Sequence, residues 1–197
     1  MKFLLDPGHG GLAFGHYLTP GKRSPEIPPG IYEGAFNRRI CRIVEFRAQE
    51  YKQLDALSIA PGPANIPLKA RVSFVNQLYR REKNLALISV HCNAAAARGW
   101  STANGFTIFI SRRASDKSKE LAQILHERYA DIVPIRSRGI KQKNFTMIHK
   151  TKCPAVLLEM GFMTNRREVI KLQLQATQEK IVSAILAAMS EYTDFVL

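Results

Sequence analysis

The sequence predicts an α/β fold, a three-layer αβα sandwich in which a twisted, mostly parallel or mixed sheet carries helices on both faces. Short apolar runs alternate with segments of helical periodicity along the chain. The runs at 85–90 and 155–158 are apolar almost throughout, as expected for strands that helices cover on both faces. A length of 197 residues suits one compact domain with a substantial core.

The first half of the chain predicts two strands and two helices. A strand at 3–5 precedes a turn, and a helix begins near Glu33 because the apolar residues after it recur at the spacing of one buried face: Phe36, Ile40, Ile43, Val44 and Tyr51. A second strand is expected within 54–60. The next helix contains Leu68, Val72, Val75 and Tyr79, with Pro67 suited to its start.

The second half continues the alternation with three strands, at 85–90, 106–110 and 155–158. The helix that follows the middle strand has one apolar face, formed by Leu121, Ile124, Leu125 and Tyr129. Asn165 with Glu168 three residues later resembles a helix N-cap signature. The final helix contains Ile181, Ala184, Ile185 and Ala188.

Segments 20–30 and 61–67 are rich in Pro and Gly, and we interpret both as loops inside the domain. We therefore expect residues 1–197 to form a single domain.

Candidate catalytic side chains follow the buried strands. In open α/β sheets, ligands bind at the carboxyl ends of the strands. His9 lies in the turn after the first strand, and His91 and Asn93 share one side of the chain directly after the strand at 85–90. Glu159 follows four apolar residues, where a carboxylate needs a cation or takes a raised pKa. The alternative for His91 is a hydrogen-bonded histidine of the core, and the alternative for Glu159 is a structural salt bridge to an arginine.

Two histidines and a carboxylate around an open position form a common catalytic zinc set. A further carboxylate outside the metal ligands would complete a metal-hydrolase site. The residues alone favour a non-catalytic role for Glu33 at the start of its helix, because an acidic residue in the first turn of a helix is common and favourable with the helix dipole.

The chain resembles the zinc-dependent N-acetylmuramoyl-L-alanine amidases of the Amidase_3 type, which occur in cell-wall remodelling enzymes and phage endolysins. The resemblance rests on segments that span nearly the whole chain: Leu5-Asp6-Pro7-Gly8-His9-Gly10-Gly11, Tyr32-Glu33, Ser89-Val90-His91-Cys92-Asn93-Ala94-Ala95 and the stretch 154–165 around Glu159. The chain departs from the family between Leu54 and Arg71, where members often carry a strand ending in Thr-Arg and a nearby Asp. We expect residues 1–197 to be one catalytic domain, without the separate wall-binding module that many lysins have.

The resemblance implies a single Zn²⁺ held by His9, Glu33 and His91, with Glu159 as the catalytic glutamate. It also implies that Asn93 orders the site or contacts substrate, and that Arg138 lies near the groove. Residues 94–103 and the loop 11–31 are expected walls of that groove. The implied reaction is hydrolysis of the amide between N-acetylmuramic acid and L-alanine in peptidoglycan. The alternatives are a zinc peptidase that cleaves within the stem peptide and a non-catalytic polyanion-binding protein.

The formal net charge of +13 comes from 29 Lys and Arg against 16 Asp and Glu. Such a charge attracts polyanions, among them the anionic polymers of cell walls, although a solvated basic surface without a specific partner is the alternative. We expect a monomer without a specific nucleic-acid partner.

Cys41, Cys92 and Cys153 match no disulfide or metal motif, and we expect three free thiols. The N-terminus has no apolar region of signal-peptide length and the chain has no membrane span, so we expect synthesis in the cytoplasm and action on the wall after release, as for phage lysins.

Overall fold

The computed structural model describes residues 1–95 and 99–196, and a mixed six-stranded sheet lies at its centre. The strand order is β4-β1-β5-β8-β6-β7. The strands of this sheet are β1 (Lys2–Pro7), β4 (Asp55–Ser58), β5 (Leu85–Asn93), β6 (Phe106–Ile110), β7 (Ser137–Gln142) and β8 (Ala155–Phe162). A separate two-stranded sheet pairs β2 (Leu12–Ala13) with β3 (His16–Tyr17).

The strands β4, β1, β5 and β8 run parallel, and β6 pairs antiparallel with β8 while lying parallel to β7. The carboxyl ends of β1, β5 and β8 therefore lie at one edge of the sheet. Alternation along β1 sends Phe3 and Leu5 into the core on one face and Leu4 into the core on the other. This two-sided burial confirms the predicted three layers.

The helices of the structure are α1 (Glu33–Ala48), α2 (Leu68–Arg81), α3 (Asp116–Ile132), α4 (Thr146–Lys150), α5 (Arg166–Gln173) and α6 (Gln175–Val196). One face of the sheet packs against α1, α3, α5 and α6, and the opposite face packs against α2 and α4. Among the described residues, no helix combines the length and apolar character needed to cross a membrane.

Most predicted elements are present, and three predictions were wrong in detail. The strand at 155–158 continues to Phe162, because it pairs on both sides: Glu159 lies opposite His91 of β5 and Thr107 of β6. The strand at 85–90 likewise continues to Asn93. Tyr51 lies beyond the end of α1 rather than on its buried face.

The N-cap predicted at Asn165 is present, since its side chain accepts hydrogen bonds from the amides of Arg167 and Glu168. Glu168 does not complete a reciprocal capping box. Its carboxylate instead accepts hydrogen bonds from the amides of Gly105 (2.6 Å) and Phe162 (2.7 Å), and so ties the start of β6 to the end of β8.

Candidate metal centre

Three side chains from separate elements meet at the carboxyl edge of the sheet. His9 follows β1, Glu33 is the first residue of α1, and His91 lies on β5. Glu33 Oε2 is 3.2 Å from His9 Nε2, and Glu33 Oε1 is 3.0 Å from His91 Nδ1. One nitrogen or oxygen from each of the three residues lies within 4.8 Å of the others, which is close enough for all three to bind one ion.

The turn after β1 presents both imidazoles. His9 adopts a left-handed conformation with φ of 65°, which costs roughly 1–2 kcal/mol for a residue other than glycine. Gly8 packs directly against the ring of His91, and a Cβ atom there would overlap that ring. The glycine in this motif is therefore required by the close approach of β1's turn to a candidate ligand on β5.

The loop between β3 and α1 holds Glu33 in place. The amide of Glu33 donates to the carbonyl of Lys22 (3.0 Å), and the next amide, that of Gly34, donates to the hydroxyl of Tyr17 (2.9 Å). The N-cap residue Tyr32 makes no side-chain cap, so these contacts satisfy amides that a helix start leaves unpaired. Tyr17 of β3 and Lys22 of the loop thus fix the backbone from which the Glu33 carboxylate extends into the site.

A buried arginine braces the turn that carries His9. Arg71 of α2 is 3% exposed, and its guanidinium donates to Asp6 Oδ1 (2.7 Å), to the carbonyl of Pro7 (2.7 Å) and to the carbonyl of His9 (3.1 Å). Ser89 Oγ donates to the other oxygen of Asp6 (2.6 Å). This network satisfies a buried ion pair and links α2, β1 and β5 behind the candidate ligands.

The electrostatics of the three residues favour a charged carboxylate between two imidazoles. Burial is the largest single influence and acts to raise the pKa of Glu33, but hydrogen bonds from His9 and His91 outweigh it and lower that pKa to about 2. Burial acts to lower the pKa of His91, whereas the hydrogen bond from Glu33 and its charge raise it to about 9. A dication would serve the same carboxylate in place of the imidazole protons.

Glu159 stands apart from this hydrogen-bonded set. It is 9% exposed, and among the described residues its Oε2 atom has no hydrogen-bond partner. Burial raises the pKa of Glu159 to about 7, opposed by the charge of His91 and reinforced by that of Glu33. A carboxyl with a pKa near neutrality can both accept and return a proton under ordinary conditions.

These residues line one open cavity of about 680 Å³. His9, Glu33, His91 and Glu159 all contribute to it, and so does Asn93. The loop 61–67 forms part of its wall through Asn65, Ile66 and Pro67, and the loop 11–31 contributes Lys22. Of the predicted wall at 94–103, Ala94 lines the cavity, whereas 96–98 fall outside the described residues.

Arg138 lies on β7 and does not line this cavity. Its guanidinium donates to the carbonyl of Asn104 (3.0 Å) and lies over the ring of Phe162, 5.2 Å from the ring centroid. The structure therefore brings five of the six predicted site residues together and places the sixth near the end of β8.

The three cysteines are free and buried, as the sequence predicts. Burial raises the pKa of each thiol, those of Cys41 and Cys92 most strongly, so each stays protonated near neutral pH. Among the described residues the candidate ligand set thus consists of imidazole and carboxylate.

Sequence reasoning missed the supporting residues Asp6, Arg71 and Ser89. One signal was available: Arg71 lies four residues before Val75 on α2, and so on the helix face that the apolar spacing assigns to the core. A charged residue on a buried face calls for a partner, although its identity cannot be read from the spacing.

Comparisons with known proteins identify the family to which the chain is similar. A family model described as N-acetylmuramoyl-L-alanine amidase matches residues 3–191. The chain is 26% identical over 189 residues to LytH of Staphylococcus epidermidis, named a probable cell wall amidase. That alignment covers 96% of this chain but 57% of LytH, so the chain spans little more than half the length of this relative.

Two solved structures share the whole fold. The catalytic domain of CwlV, an N-acetylmuramoyl-L-alanine amidase from Bacillus (Paenibacillus) polymyxa, is 28% identical with a TM-score of 0.80, and 98% of each chain is covered. An N-acetylmuramoyl-L-alanine amidase from Clostridium difficile 630 is 27% identical with a TM-score of 0.85, covering all of this chain and 98% of that one.

Proposed function

Because the chain belongs to the N-acetylmuramoyl-L-alanine amidase family, we propose that it hydrolyses the amide between N-acetylmuramic acid and L-alanine in peptidoglycan, with one zinc ion as cofactor. The observation that carries this proposal is the convergence of His9, Glu33 and His91 in one open cavity with a buried Glu159, whose Oε2 atom has no hydrogen-bond partner among the described residues.

Zinc suits the three donors, which are two imidazole nitrogens and one carboxylate oxygen. When bound, the ion would act as a Lewis acid that lowers the pKa of a water ligand toward neutrality and polarises a carbonyl group. The carboxylate of Glu33 is buried and has a pKa of about 2, so it stays ionised and offsets the charge of a dication.

Glu159 performs the proton transfers in this proposal. Its free Oε2 atom accepts a proton from the attacking water, and the carboxyl then delivers that proton to the nitrogen of the departing L-alanine. A pKa of about 7 suits both steps, because the group loses and regains a proton near neutral pH at little cost. Asn93, which lines the same cavity, orients the substrate amide.

The products of peptidoglycan digestion test the proposal. Purified peptidoglycan incubated with the zinc-loaded protein should yield intact stem peptides with a free L-alanine amino group and glycan strands without peptide, as identified by mass spectrometry. Glu159→Gln should reduce this release by about 100- to 10,000-fold while the protein still binds zinc, since general acid–base catalysis contributes about 10²–10⁴-fold.

Two results would contradict the proposal. Peptides cut internally, with L-alanine still attached to the glycan, would identify a peptidase. Release at the wild-type rate by Glu159→Gln would remove Glu159 from the reaction.

A further inference from the structure

Two lysines border the cavity that holds the candidate metal centre. Lys22 comes from the loop between β3 and α1, and Lys143 directly follows β7. They belong to segments far apart in the sequence, yet both line the same cavity as Glu159.

The backbone around each lysine is anchored. The amide of Lys143 donates to the carbonyl of Ile110 (2.9 Å), and its own carbonyl accepts from the amide of Phe145 (2.9 Å). Its ammonium lies 4.6 Å from the centroid of the Phe145 ring, which limits the positions of a long side chain. The carbonyl of Lys22 accepts the amide of Glu33, so this lysine is tied to the start of α1.

Both ammonium groups lack an anionic partner within the part of the chain that the structure describes. Neither lysine lies within 4.0 Å of a carboxylate there, whereas Arg71, the buried cation of the same cavity, is paired with Asp6. Both lysines are exposed to solvent, so their charges are available to an anionic ligand that enters the cavity.

Such a ligand follows from the chemistry of the substrate. In the intact substrate the glycan half is uncharged, because its lactyl carboxyl group forms the scissile amide, whereas the peptide half carries free carboxylates, including the one at its end. Hydrolysis leaves a new carboxylate on the glycan product and a new amino group on the peptide product. Glu159 returns its proton to the nitrogen of the peptide half, so that half must lie beside Glu159 during the reaction.

We propose that Lys143, assisted by Lys22, binds the free carboxylates of the stem peptide and makes this site selective for substrates with an acidic peptide half. The inference rests on the proposed amidase function and specifies the substrate class of the same site. A lysine ammonium forms a stronger, charge-assisted hydrogen bond with a substrate carboxylate than with a neutral amide at the same position. Salt weakens this interaction where it is exposed to solvent.

Two synthetic muramoyl peptides that differ only in charge would test the proposal. One carries free carboxylates on the residues after L-alanine, and in the other these groups are amides. The zinc-loaded wild type should cleave the acidic substrate with a kcat/KM about tenfold higher than that for the amide substrate. Most of this difference should come from a lower KM for the acidic substrate. In Lys143→Gln this preference should fall to about twofold or less, and in Lys22→Gln it should fall by a smaller factor.

Lys141→Gln is the matched control, because Lys141 is an exposed lysine of β7 that does not line the cavity. This variant should keep the tenfold preference. Zinc content and thermal unfolding of each variant establish that the site and the fold are intact.

The outcomes separate the two hypotheses. Wild-type protein that cleaves both substrates equally, or a preference that Lys143→Gln leaves unchanged, overturns the lysine proposal while leaving the amidase function intact. Zinc-loaded wild type that cleaves neither substrate overturns the amidase function itself.

Discussion

At the scale of single residues, the site contains two buried carboxylates that lie in different environments and therefore have different pKa values. Glu33 has two imidazoles as hydrogen-bond partners and a pKa of about 2. Glu159 is buried, its Oε2 atom has no partner within 1–95 and 99–196, and its pKa is about 7. When their surroundings give two carboxyl groups different pKa values, the two groups can play different chemical roles. One glutamate is therefore suited to hold a cation, and the other to transfer a proton.

Because the pKa of Glu159 is raised, we expect the free energy of unfolding of the chelator-treated protein to decrease as the pH rises. The folded state holds this proton more tightly than the unfolded chain does, so the free energy of unfolding falls as pH rises from about 4.5 to 7. Glu159→Gln lacks this titration. We expect the variant to match wild type near pH 4.5 and to be more stable at pH 8, by at most about 3 kcal/mol.

Urea denaturation at the two pH values, with chelator present, measures this difference. A Glu159→Gln variant that is no more stable than wild type at pH 8 would show that the ionised carboxylate is accommodated at no cost. In that case the proton-transfer role would lose its physical basis.

At the scale of secondary-structure elements, α2 supports the turn that carries His9 through a single side chain. The guanidinium of Arg71 donates hydrogen bonds to Asp6 and to the carbonyls of Pro7 and His9 in that turn. Removing one partner of a buried ion pair leaves the other charge unsatisfied, at a cost of about 3–5 kcal/mol. It also frees the carbonyl of a candidate metal ligand, and such supporting contacts affect metal affinity by about 10–100-fold.

We therefore expect Arg71→Met to lose about 3–5 kcal/mol of stability and at least tenfold in zinc affinity. The double variant Asp6→Asn/Arg71→Met should regain part of the stability, because no charge is left unpaired, but not the zinc affinity, because the His9 carbonyl still lacks its donor. Arg80→Met, at an exposed position of the same helix, is the control. Urea denaturation and zinc titration measure both quantities, and equal zinc affinity in Arg71→Met and Arg80→Met would contradict the bracing role.

The elements themselves were predictable where local pattern decides them. The helices α1, α2, α3 and α6 have long apolar faces, and the strands β5 and β8 contain runs that are apolar almost throughout. The strand β7 (Ser-Arg-Gly-Ile-Lys-Gln) has no such run, and its place in the sheet comes from pairing with β6 at the sheet edge. The extensions of β5 and β8 past their apolar runs likewise depend on neighbouring strands.

The site was predictable to a similar degree. His9, His91 and Glu159 follow from the rule that ligands bind at strand ends, because their neighbours in sequence mark those ends. Glu33 required the family resemblance, since an acidic first turn is common in helices that bind nothing. The pairing of Arg71 with Asp6 joins residues 65 positions apart, and such a contact is decided by the fold rather than by any local pattern.

At the scale of the whole molecule, the fold brings the candidate ligands of one ion together from three distant segments. Only the assembled sheet, with α1 and the turn after β1 in place, brings His9, Glu33 and His91 within 4.8 Å of one another. The binding free energy of a metal ion should therefore stabilise the entire fold. We propose that this ion is what gives the protein its amidase activity.

Titration of zinc into chelator-stripped protein, with release of L-alanine amino termini from peptidoglycan as the readout, tests that claim most directly. We expect no release from the stripped protein and a linear rise that reaches its plateau at one equivalent of zinc. His91→Ala should show no such rise, whereas His16→Ala, an exposed histidine of β3 outside the metal set, should follow the wild type. Full activity of the stripped protein, or a wild-type response from His91→Ala, would contradict the account.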